Sequence, residues 1–99
     1  MSQRITEAFL NAQIKSLNKL TDSPTQCYQN GAAQIGNYHL YQAYGAYQLH
    51  RFTSIGGGIE DVFRAGFMSK RELSENISAF MTGYSAGKEI TKIKLGETK

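Results

Sequence analysis

The chain has 99 residues, 40% apolar and 11% aromatic, with a formal charge of +3. This length bounds it to one small domain spanning residues 1–99, near the lower limit for an independent core, and the composition excludes intrinsic disorder. The lone Cys27 excludes a disulfide-stapled secreted domain, and the excess of cations, though unevenly spread, is too mild for a dedicated polybasic arm.

The apolar runs fall short of the roughly 18 residues that a membrane span needs, and no charged segment followed by an apolar run opens the chain. A soluble protein in the cytoplasm, with no membrane partner, is therefore expected. A core this thin leaves surface to bury in self-association, so a homodimer or higher homo-oligomer is a natural supplement.

Residues 3–20, "QRITEAFLNAQIKSLNKL", carry two apolar sets, Ile5, Phe9 and Ala12 with Leu20, and Leu10, Ile14 and Leu17. Spacings of three and four predict an amphipathic helix. "TDSP" at 21–24 stops it, because Pro24 restricts the residue before it and cannot continue the ladder. Residues 21–36 then read as a polar, irregular and mobile connection with a turn at Asn30-Gly31.

"YHLYQAYGAYQLHRF" at 38–52 carries a tyrosine at every third position. A helix would gather these rings in one stripe, but Gly45 and the aromatic, branched composition favour strands. A two-residue turn at Tyr44-Gly45 sets Leu40 opposite Leu49 and Tyr38 opposite Arg51. The other face then holds His39 opposite His50 and Tyr41 opposite Gln48. Leucine against leucine marks the first face as core. "TSIGGGIEDVF" repeats the pattern, a turn at Gly56–Gly58 leading to a third strand, "IEDVF".

"SKRELSENISAFMTGYSAG" predicts a second helix, with Ser69 and Glu72 as a capping box and Leu73, Ile77, Phe80, Met81 and Tyr84 on one face. Gly83 and Gly87 offer ends for it. Residues 88–99, "KEITKIKLGETK", read as a flexible tail or an edge strand. The fold class is α+β in the order α-β-β-β-α, a three-stranded antiparallel meander packed against two helices.

No nucleophile with an adjacent base is legible, and Glu60 and Asp61, as neighbours on a strand, point to opposite faces. An enzyme is therefore not expected. His39 and His50 could begin a zinc or nickel site, but no third ligand follows by spacing, so neither a metal nor another cofactor is implied. The glycine triplet precedes a strand bearing two acids, which suits a hairpin turn better than a phosphate cradle. The sharpest site is the start of the second helix. There Arg64, Lys70 and Arg71 surround free N–H groups, with Tyr41, His39, His50 and Arg51 on the adjoining sheet as an anion-binding or partner surface. The alternative is that these cations only solvate a surface.

Taken together, "NYHLYQAYGAYQLHRF", "GGGIEDVF" and "SKRELSENISAF" resemble a family of small proteins encoded by bacteriophages and prophages, over roughly residues 35–84. The shared pattern is an AYGG-like turn, a glycine-rich turn before an acidic strand, and "SKREL" opening the last helix; Ala46 stands here where the family often has a second glycine. The resemblance brings no activity or active site. It implies a phage accessory protein in a bacterial host cytoplasm that binds and blocks a host or defence component. The second reading is a nucleic-acid or nucleotide binder. The order α-β-β-β-α is shared by double-stranded RNA-binding domains, whose clustered lysines "MSKRE" partly matches.

Overall fold

The computed structural model describes residues 4–97, with side chains described through residue 88. The chain is α+β. Two helices pack on one face of a three-stranded antiparallel sheet, and a small two-stranded hairpin lies beside it.

Helix α1 spans Glu7–Leu20 and begins where Thr6 Oγ1 accepts from the Phe9 N–H at 3.1 Å. Glu7 in its first turn and Lys19 in its last complement the helix dipole. It ends at Thr21, whose hydroxyl donates to the Leu17 carbonyl at 2.9 Å, and Asp22 turns into the left-handed region. Leu10, Ile14 and Leu17 face inward, whereas Phe9 and Ala12 remain exposed.

The connection after α1 contains more order than its sequence suggests. Strands β1 (Tyr28–Gln29) and β2 (Ala32–Ala33) pair across Asn30-Gly31, both at positive φ as a tight hairpin requires. The turn falls where expected. Its two-residue strands are too short for any periodicity to announce them.

Strands β3 (Tyr38–Ala43) and β4 (Ala46–Phe52) meet at the Tyr44-Gly45 turn, with φ of 54° and 74°. Their register is the expected one: Tyr38↔Arg51, His39↔His50, Leu40↔Leu49 and Tyr41↔Gln48. Strand β5 is shorter than "IEDVF", covering only Ile59–Asp61, with His50↔Asp61, Arg51↔Glu60 and Phe52↔Ile59. After one further bond, from the Val62 N–H to the Leu49 carbonyl, the chain turns at Arg64 and Gly66. Phe63 thereby packs edge-on against Phe80. Met68 then exchanges both backbone bonds with Tyr47, extending the pairing along β4.

Helix α2 spans Lys70–Glu97. The capping box forms as expected: Ser69 N–H donates to Glu72 Oε1 and Glu72 N–H to Ser69 Oγ, each at 3.1 Å. The helix does not stop at Gly83 or Gly87. Neither glycine adopts the positive φ of a helix-ending glycine, and an added Cβ would meet nothing within 4 Å at either, so both sit as ordinary helical residues. The backbone expected as an edge strand or tail is therefore helical through Glu97, and residues 98–99 lie outside the described residues.

The core is the Leu40–Leu49 face, as leucine pairing implies. Leu10, Ile14, Leu17, Tyr47, Leu49, Met68, Leu73 and Ile77 form one cluster, with Tyr38, Leu40, Phe63 and Phe80 packed against it. Gln13 ties the helices together, its Nε2 donating to the Ser74 carbonyl at 3.0 Å and to Ser78 Oγ at 2.8 Å. No helix among the described residues is long and apolar enough to cross a membrane.

A ring-lined sheet face as the candidate functional site

Strand alternation sends His39, Tyr41, His50, Phe52 and Asp61 to the sheet face turned away from the helices. On that face the aromatic groups form an unbroken run. Tyr28, from β1, meets Phe52 edge-on at 5.4 Å between ring centres, and Phe52 lies 4.4 Å from His39. His39 meets His50 at 5.9 Å, and His50 stacks on Tyr41 at 4.5 Å with their planes only 13° apart. Phe67, from the turn before α2, continues the run at 6.1 Å from Tyr41 and 6.4 Å from Tyr44.

The middle of this run is buried and its ends are open. His50 and Phe52 are 4% exposed, whereas Tyr28, Tyr41 and Phe67 are 59%, 43% and 43% exposed and Tyr44 is 99% exposed. Ile59, opposite Phe52 on β5, is exposed as well. Large rings facing water beside a rigid, buried base make a contact surface that loses little side-chain entropy on binding.

Polar groups fix the centre. Asn37, 1% exposed, donates through Nδ2 to the Pro24 carbonyl at 2.8 Å and sets its Oδ1 3.3 Å from His39 Nδ1. His50 Nε2 lies 2.6 Å from Gln48 Oε1. The neutral tautomers that satisfy both contacts carry the proton on Nδ1 of His39 and Nε2 of His50. Burial lowers the pKa of both histidines. His50 lowers that of His39 further, against an opposing hydrogen bond from Asn37, and Asp61 opposes the shift on His50. Asp61 takes the Gly66 N–H on Oδ2 at 3.3 Å, while its Oδ1 is buried without a hydrogen-bond partner.

Lys70 and Arg71 open α2 as expected, but Arg51 does not join them or the rings. Arg51 lies on the helix-bearing face, 3.6 Å from Glu60 and over the Tyr38 ring at 5.7 Å. Lys70 sits over the Tyr47 ring at 5.9 Å, and Arg64 and Arg71 are exposed. Part of the positive end of α2 is already occupied by the Glu72 carboxylate. His39, Tyr41 and His50 thus form a coherent triad of rings, from which strand parity separates Arg51, while Lys70 and Arg71 stand at the first turn of α2.

Phe52 follows from the parity of β4, whereas Tyr28 and Phe67 were not legible as part of this surface, because they reach it from the short β1–β2 hairpin and from the turn before α2. Among the described residues no cluster of three His, Cys, Asp or Glu side chains is placed to hold a metal ion. Burial raises the Cys27 thiol, which disfavours its thiolate. No protein-family model, curated protein or solved structure matches the chain.

Proposed function

We propose that this chain is a small non-enzymatic binding protein that occupies a bacterial protein through the ring-lined face of its sheet. The kind of partner, a host or defence component blocked stoichiometrically by a phage accessory protein, comes from the family resemblance. The observation that carries the binding role is the continuous run from Tyr28 to Tyr44, buried at His50 and Phe52 and open at its ends. Exposed tyrosine and phenylalanine around a desolvated centre match the aromatic enrichment of interfaces, and tyrosine is a common hot-spot residue. The strands of this face contribute no lysine or arginine to it, which favours a protein partner over a phosphate backbone.

The test is capture from bacterial lysate by the immobilised chain, at low and high salt, beside the double variant Tyr44→Ser/Phe67→Ser. The expected result is a discrete protein that survives high salt and is lost with the double variant at unchanged melting temperature. Capture unaffected by the double variant would refute the assignment of the face. Nucleic acid released steeply by salt would instead establish the second reading, with about one log–log unit of slope per phosphate neutralised.

A further inference from the structure

The outer edge of β3 carries a second message, independent of what the ring-lined face binds. Asn18, near the end of α1 and 2% exposed, donates through Nδ2 to the Tyr38 carbonyl at 3.0 Å and accepts the Tyr38 N–H on Oδ1 at 2.8 Å. Its side-chain amide therefore occupies the place of one residue of a neighbouring strand. Because Tyr38 points its backbone groups outward, strand alternation points those of Leu40 and Gln42 outward too. The opposite side of the sheet agrees, since Tyr47, which faces Gln42 in the register, spends its own N–H and C=O on Met68.

Natural sheet edges are usually blunted by lysine, proline, a bulge or a covering element. This edge, "YHLYQA", has no charged side chain, no proline and continuous pairing along its length. Beside it lies a recess of about 250 Å³ whose lining includes Ile14, Lys15, Asn18 and Leu40. Asn18 stops the free edge at one end and the Tyr44-Gly45 turn stops it at the other.

We propose that two copies of this chain join antiparallel through these edges, with Leu40 of each copy paired to Gln42 of the other. This register uses both free residues on both chains. A shift that pairs Leu40 with Leu40 would set Gln42 against Tyr38, whose groups Asn18 already holds. A shift in the other sense would set Leu40 against Tyr44, in the turn. In the Leu40–Gln42 register Tyr38 falls opposite that turn, so Asn18 and the partner do not compete. Tyr41 meets the second copy's Tyr41 on the two-fold axis as a non-hydrogen-bonded pair, on the ring-lined face and beside its own stack with His50. The two sheets become one, and the two runs of rings become continuous. An isologous contact of this kind is closed, which accounts for an unblunted edge that does not propagate into a fibre.

The test combines solution mass with two variants. Sedimentation of the wild-type chain at tens of micromolar is expected to give a dimer. Gln42→Pro removes an outward N–H without touching the bonds to β4, and is expected to give a folded monomer with native circular dichroism. In a Cys27→Ser background, Tyr41→Cys places two thiols across the axis at about 4.5 Å between Cα atoms, within disulfide reach. It is expected to cross-link nearly completely under mild oxidation, whereas Tyr28→Cys is not. A monomeric wild-type chain overturns the proposal, as does a dimer that survives Gln42→Pro or a Tyr41→Cys variant that cross-links no better than Tyr28→Cys.

Discussion

Replacing Asn18 with alanine removes a side chain that stands in for a strand. In the folded protein this amide satisfies both backbone groups of Tyr38, at 3.0 and 2.8 Å, while itself 2% exposed. A typical hydrogen bond contributes about 0.5–1.5 kcal/mol net, and a buried group left without its partner costs about 1–3 kcal/mol. Two bonds lost at one site, with part of the stranded edge reaching water, give an expected destabilisation of about 2–4 kcal/mol. For a chain of this size that is a fall in melting temperature of roughly 10–25 °C. The assay is urea and thermal unfolding followed by circular dichroism, with the urea slope compared to confirm an unchanged transition. Asn18→Asp supplies the control of chemistry. It keeps the acceptor for the Tyr38 N–H but sets a carboxylate oxygen against the Tyr38 carbonyl, so it should be as damaging at neutral pH and recover on acidification, when the protonated acid donates. A loss below about 0.5 kcal/mol for Asn18→Ala, the size of an ordinary surface substitution, would refute the edge-capping role.

Two further outcomes follow from the structure. His39 and His50 have pKa values lowered by burial, so the folded state favours their neutral forms. The unfolded chain takes up these protons first, near its ordinary pKa of about 6.5; stability is full above that pH and falls as pH drops below it toward the lowered folded values. A melting series from pH 8 to 5 should therefore fall less for His39→Gln/His50→Gln than for the wild type, and an equal or steeper fall in the variant would refute the coupling. Gly83→Ala, inside α2 with open space around its Cα, should stabilise by up to about 1 kcal/mol by helix propensity. A loss of stability in urea unfolding would mean that the helix ends at that glycine.

The strand register was open to sequence reading because a side-chain period of two and a two-residue turn leave little freedom, and Leu40 opposite Leu49 fixes which face is core. The capping box of Ser69 and Glu72 was legible for a similar reason, since its chemistry is local. The same register also placed Arg51 beside Tyr38 on the core-side face, away from His39 and Tyr41. Grouping it with those rings gave nearness in sequence more weight than strand parity. Other features depend on tertiary contacts that no local pattern encodes. Asn18 and Asn37 read as ordinary polar residues until the backbone groups they satisfy are brought to them. Tyr28 and Phe67 join the ring-lined face from a hairpin and a turn. Gly83 and Gly87 suggest helix ends because glycine often supplies them, yet at exposed sites a helix can carry glycine at a cost of about 1 kcal/mol each.

The central claim, that the sheet face turned from the helices is the working surface, is tested most directly by photocross-linking in living bacterial cells. A benzophenone amino acid would replace Tyr44 on that face in one variant and the exposed Ser16 on α1 in another. The expected result is one discrete adduct to a bacterial protein from position 44 and none from position 16. Adducts from position 16 alone, or none from either, would contradict it.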